Sequence, residues 1–275
     1  MLRSLYSGIS GLRAHQTMLD VTGNNIANVN TAGFKSSSTQ FQDTLSQMSQ
    51  GATMPQDAAG GGNPAQVGLG VQVAGVSTNF GQGSTQNTGK ATDMMISGNG
   101  FFITKQGNTT ALTRSGAFDF DARGRLVSPD GGIVQGWTAT NGVVGGPVGD
   151  VVLDPNLPNL ESYTLGADGT LTGNFTDGTQ QAIARIALGT VANPAGLQKA
   201  GGSSYTVTAN SGEMVPVTAD QDGAGSIIGG ALEMSNVDLS QEFTNLIVAQ
   251  RGFQANARII TTSDEVLQEL ANLKR

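Results

Sequence analysis

Hydrophobic positions recur with a helical period at the two ends of this chain and lose that period in between. Leu5, Leu12, Leu19 and Ile26 are seven residues apart, and Leu2 and Ile9 lie three residues before two of them. A seven-residue repeat places apolar side chains along one helix face, as in a coiled-coil seam. At the other end Leu239, Leu246, Phe253, Ile260 and Leu267 keep the same step. Phe243 and Ala257 follow two of these by four residues, while Gln250 and Asp264 interrupt that second row. Ser235, with Asp238 three residues on, resembles a capping box ahead of this helix. At ~1.5 Å per residue the stretch 239–273 spans ~50 Å, more than a small β domain can cover. The terminal helices are therefore expected to bury their seams on each other and on neighbouring copies. Ala249, Gly252 and Ala255 permit close backbone approach.

The first helix is expected to end between residues 24 and 35. Asn24, Asn25, Asn28 and Asn30 discourage helix continuation, and Gly33 ahead of Phe34 allows a left-handed turn. An Asn cluster can also form a polar binding site, but a helix exit held by side-chain hydrogen bonds accounts for it more simply.

The period changes after that exit. Residues 36–75, rich in Ser, Gln, Gly and Ala, read as an extended connector. Beyond them come short apolar runs bounded by turn residues, such as Phe101-Phe102-Ile103 between Gly100 and Gly107. Asp130-Gly131, Asp168-Gly169 and Asp177-Gly178 are hairpin dipeptides, so Leu165 to Val191 is expected as a three-stranded meander. The expected fold class is α+β. Terminal helices, 1–30 and 236–275, form a coiled-coil-like layer. A connector covers 31–75, and a mainly β domain, 76–235, is inserted between the ends.

Composition agrees with this division. Of 275 residues 40 are Gly, only 13% are charged and 5% aromatic, which favours turns and short strands over a helical globule. The net charge of −7 resides in the middle of the chain, leaving the ends near neutral and able to pack against copies of themselves. No basic cluster exists to engage phosphates, so nucleic acid is not an expected partner. No apolar run reaches the ~18 residues of a membrane span. The opening residues lack a secretory signal core, so the chain is expected either to stay in the cytoplasm or to be exported by a route that does not use a cleaved signal.

Candidate chemistry is sparse. There is no Cys, and His15 is the only His, so neither a thiolate nor a His-rich metal site is available. Asp119, Asp121, Gly124 and Asp130 match positions of a calcium loop, but Arg123 stands where a ligand belongs and the last position lacks Glu. No phosphate loop or nucleophile elbow is present. No catalytic residue, metal or cofactor is expected, and the chain does not read as an enzyme.

The segment Asn24 to Phe34, preceded by Ser7-Gly8-Ile9, resembles the N-terminal signature of the bacterial flagellar rod and hook family. Ser235 to Leu239, with Gln250 to Asn256, resembles its C-terminal signature. Gly98-Asn99-Gly100-Phe101-Phe102 and Arg114-Ser115-Gly116-Ala117-Phe118 extend the likeness into the middle. The resemblance implies an inner layer of terminal helices in a hollow tube, with β domains outside. The opening Met1 to Gly11 and the stretch Val67 to Val71 look most like a short hook protein, which implies a flexible joint carrying motor torque to the filament. The distal rod protein is the alternative; a secreted β-domain enzyme or glycan binder is a remote one, with Trp137 the only Trp. Implied partners are copies of the chain itself, the distal rod, hook cap and hook–filament junction proteins, and the export apparatus. Implied location is the extracellular hook and basal body. Phe41 and Leu45 match the family's Phe-x-x-x-apolar export element; the same pair could instead pin the connector to the inner layer.

Overall fold

A computed structural model describes residues 2–55, 60–140, 143–153 and 160–273. Met1 of the opening motif and residues 274–275 of the C-terminal region lie outside that set. The chain forms an N-terminal helix, a mainly β region and a C-terminal helix, an α+β architecture. Two compact units divide it. One contains 1–27, 37–78 and 238–275, and the other 28–36 and 79–237.

In the helical unit, α1 (Leu2–Ala27) packs on α2 (Leu239–Leu273). Asp238 itself is the N-cap of α2: its Oδ1 accepts from the backbone N–H of Ser240 at 2.8 Å and of Gln241 at 3.2 Å. The capping box expected from Ser235 is displaced, because the Ser235 hydroxyl instead accepts from Val237 N–H at 3.3 Å, ahead of the helix. The stretch 36–75, read as a connector, falls largely within 37–78, which folds back as a two-stranded ribbon. Strand Ser37–Asp43 pairs antiparallel with Val71–Thr78, and Ser46–Gln50 pairs with Ala65–Gly68. Thr44 N–H to Gly70 O and Leu69 N–H to Leu45 O join the two halves.

The β unit is organised by the strand Gln180–Thr190. It pairs antiparallel with Thr170–Phe175, Ile133–Thr140, Phe101–Gln106 and Val215–Thr218. The expected meander is present: Leu160–Leu165, Thr170–Phe175 and Gln180–Thr190 run consecutively. Its first turn is fixed by Asp168, which accepts from the Thr170 hydroxyl at 2.6 Å and from the Thr170 N–H at 3.2 Å.

Alternation with period two explains where the core sits. Phe102, Ile186 and Leu188 point to one face, into a core with Phe118, Val134 and Ile227. Phe101, Ile103 and Ala187 point to the other, with Leu112 and Tyr205. Phe102 meets Phe118 edge-on at 5.1 Å. A sheet covered on both faces reads in sequence as continuous apolar runs, as in Phe101-Phe102-Ile103.

Candidate assembly interface

The candidate site is the helix pair, and its geometry begins with small residues. On α1 the side turned to α2 carries Gly8, Gly11, His15 and Asn25; on α2 it carries Glu242, Gly252, Asn256 and Ile260. A Cβ on Gly8 would lie 3.4 Å from Ile260 Cγ1, and one on Gly252 would lie 2.5 Å from the His15 ring. The backbones approach closely here because these positions lack side chains. His15 lodges between Gly252 and Phe41, its ring 5.9 Å from the Phe41 ring.

Polar bonds fix the pairing at one end. Asn25 is fully buried. Its amide donates to Ser37 O at 2.8 Å and to Glu242 Oε1 at 3.0 Å, while its Oδ1 accepts from Ser37 N–H at 3.0 Å. One side chain thus ties α1 to the ribbon and to the first turn of α2. Asn25 lies within α1 rather than beyond it, and its role is more than an exit signal. Asn24 is exposed, and Asn28 Oδ1 accepts from the Thr31 hydroxyl at 3.1 Å.

The predicted seam residues occupy the interface unevenly. Leu5, Leu12, Leu19, Ile26, Leu246, Ile260 and Leu267 are half-buried. Leu239 and Phe253 are exposed. The second row on α2 is Glu242, Ala249, Asn256 and Ser263, not the row through Phe243 and Gln250. The shift of one position arises because the seam is filled by small and polar residues, which a search for apolar ones passes over. The larger apolar side chains Tyr6, Phe243, Ile247, Val248, Ile259, Val266 and Leu270 are left exposed. On the ribbon Phe41 is partly exposed, and Leu45 is 84% exposed.

The exit from α1 belongs to the β unit. Gly33 adopts φ +70°, donates its N–H to Glu233 O at 2.7 Å, and would clash with the backbone of Ser115 if it bore a Cβ. Lys199 lies 5.0 Å from the centre of the Phe34 ring. Next to it is a buried ion cluster that sequence reasoning missed. Lys35 Nζ donates to Glu233 Oε1 at 2.6 Å and to Gly81 O at 2.8 Å. Gly83 N–H also donates to Glu233 Oε1, and Arg114 reaches Glu233 Oε2 at 3.4 Å and Gly98 O at 2.8 Å. Burial pushes the Lys35 ammonium and the Arg114 guanidinium below their usual ranges, against the pull of Glu233. Arg114 lies within the family-like stretch Arg114 to Phe118, but its partners lie far off in sequence.

The residues that match a calcium loop are engaged otherwise. Asp121 accepts from the N–H groups of Arg123 and Arg125, and pairs with the Arg125 side chain at 2.7 Å. The backbone N–H of Arg125, foremost, holds its carboxyl below the usual range. Asp119 pairs with Lys90 at 2.7 Å. Among the described residues no three carboxylates or imidazoles gather as a metal site, and no helix is long and apolar enough to cross a membrane.

Three family profiles match the chain. They are the flagella basal body rod protein over residues 5–35, the flagellar hook protein FlgE/F/G D1 domain over 95–173, and the flagellar basal body rod FlgEFG protein C-terminal region over 228–273. The chain is 45% identical over 276 residues to the flagellar basal-body rod protein FlgG of Bacillus subtilis, covering all of both chains. It is 32% identical over 441 aligned positions to the flagellar hook protein FlgE of Borreliella burgdorferi, again covering both entirely. To the hook protein FlgE of Helicobacter mustelae it is 54% identical over 140 residues, half of this chain and 31% of that one.

Proposed function

This chain belongs to the flagellar rod and hook family, and on that premise we propose that it polymerises into the tubular hook between motor and filament. The family is structural rather than enzymatic, and its place is the flagellar basal body and hook. One observation carries the assembly reading: beyond the glycine, polar and half-buried leucine and isoleucine contacts that close it, the helix pair leaves Tyr6, Phe243, Ile247, Val248, Val266 and Leu270 exposed. Full burial of one such side chain stabilises by ~1.5–3 kcal/mol. Copies covering one another's helices would therefore gain what the single chain leaves unrealised.

In this reading the terminal helices give the tube axial continuity, and the β units contact one another outside it. The contacts between β units slide as the hook bends. Partners are other copies, the distal rod protein below, and the cap and hook–filament junction proteins above. The export apparatus delivers the chain.

The hook assignment draws on the opening residues, on Val67 to Val71, and on the 54% identity to a hook protein. A distal rod subunit is the second reading. The FlgG relative of Bacillus subtilis aligns end to end over 276 positions, whereas the Borreliella hook alignment needs 441 for the same 275 residues. Electron microscopy of cells lacking the chain separates the two. Complete rods without hooks are expected; truncated rods would assign it to the rod, and intact flagella would refute both.

A further inference from the structure

Exposed apolar side chains change sides along α2. Near its start Phe243 and Ile247 are exposed, about one turn apart on one side. That side then becomes polar, through Gln250, Gln254, Thr261 and Glu265, all exposed. Near the end of α2, Val266 and Leu270 are exposed, again about one turn apart. At 3.6 residues per turn the two pairs point about 140° away from each other around the helix axis. Neither points along the side of Asn256 and Ile260, which meets α1. Val248 and Ile259 share the side of the second pair, but Ile259 borders Gly8 of α1. On that side only Val266 and Leu270 repeat the spacing of Phe243 and Ile247. Each pair has one charge beside it, Arg251 after Ile247 and Glu269 before Leu270. Both charges are exposed, and neither joins an ion pair among the described residues.

We propose that the end of α2 in one copy of this chain lies parallel against the start of α2 in the next copy, with Val266 and Leu270 packed on the neighbour's Phe243 and Ile247. The offset is 23 positions, about 35 Å, which leaves about 12 residues of each helix side by side. The inference rests on the tubular reading above, because a polymer whose subunits all point the same way grows through heterologous contacts. Each α2 meets the copy above with its end and the copy below with its start. The two contacts use different stretches and different sides of the helix, so both neighbours fit at once. In heptad terms Val266 and Leu270 are d and a, and so are Phe243 and Ile247. Glu269 then stands at g and the neighbour's Arg251 at the following e, positions that pair across a parallel seam. On the other flank the neighbour's exposed Leu239 stands at g and Leu267 at e, which adds apolar cover. The occupant is a second copy because α2 itself carries both halves of the match, in apolar spacing and in charge.

The test uses full-length chains in cells whose own copy is deleted. The chain has no Cys, so introduced pairs report without background. Phe243→Cys with Val266→Cys places one thiol at each half of the contact, within disulfide reach across the seam. Oxidised tubes of this variant should run as a ladder of covalent multimers on a non-reducing gel. Tubes with either cysteine alone, or with Phe243→Cys and Ile259→Cys, should run as single chains. Single chains from the oxidised Phe243→Cys, Val266→Cys tubes would overturn the proposal while the tubular reading stands. Dimers from Phe243→Cys alone would also overturn it, since the contact would then be symmetric. A charge swap decides the case if the cysteine chain builds no tubes. Arg251→Glu alone and Glu269→Arg alone should each give about fivefold fewer tubes by electron microscopy, because like charges then face each other at every contact. Both changes in one chain should restore tubes to within about twofold. Full assembly of the single variants, or no recovery in the double, would refute the pairing. If the unaltered chain forms no tubes, the tubular reading itself has failed.

Discussion

Replacing Glu233 by Gln should destabilise the β unit more than any surface change. Glu233 is 1% exposed and, among the described residues, is the one anion paired with two buried cations, Lys35 and Arg114. Gln keeps the shape and can still accept from Gly83 N–H, but it cannot neutralise either cation. Removing one partner from a buried ion pair costs about 3–5 kcal/mol. A second route gives a similar bound. Lys35 can escape by losing its proton, and doing so at pH 7 from a usual value near 10.4 costs about 4.6 kcal/mol. For a unit of about 170 residues this lowers Tm by about 6–20 °C. Trp137 packs against the second core and is the only Trp, so its fluorescence follows unfolding of the β unit alone. The sign of the pH dependence is also set. The variant's deficit should shrink as pH rises toward 10, where the unfolded Lys35 also loses its proton, leaving the Arg114 share. Lys35→Met with Glu233→Gln should recover part of the loss. A Tm drop under about 2 °C, or a deficit unchanged between pH 7 and pH 10, would refute the view that Glu233 holds two buried charges.

Other outcomes follow from the same structure. Gly116→Ala would drive a Cβ into the Met94 carbonyl oxygen, so the backbones must separate; a loss of about 1–3 kcal/mol is expected in urea unfolding. Asn25→Ala removes three hydrogen bonds at the α1–ribbon–α2 junction, and amide exchange in the first turn of α2 should rise by tenfold or more. Asp121 has a lowered carboxyl pKa, so its stabilisation is present above the usual carboxylate range and lost as pH falls through the lowered value. The stability gap between the unaltered chain and Asp121→Asn should therefore be widest near neutrality and close in acid. Phe41→Ala with Leu45→Ala should reduce secreted chain while cytoplasmic levels stay normal, even in cells that cannot build hooks; normal secretion with impaired assembly would assign the pair to the ribbon's contacts instead.

Local chemistry made the terminal helices, the Asp-Gly meander and the family signatures legible in sequence alone. A helix repeat and a hairpin dipeptide each depend on residues only a few positions apart, so both survive without knowledge of the fold. Three features needed the tertiary structure. The sequence marks Ala249 and Gly252 as places of close approach, but only the fold shows that Gly252 meets His15 and that Asn256 meets Gly11. The ribbon of 37–78 exists because Asn25 holds Ser37 and Thr44 meets Gly70, although its composition is that of a connector. The Lys35–Glu233–Arg114 cluster joins residues up to 198 positions apart. A charge reads as surface until the chain folds around it. Only the closing of residues 33–35, 81–83 and 233 on one another decides that these three are buried and must be paired.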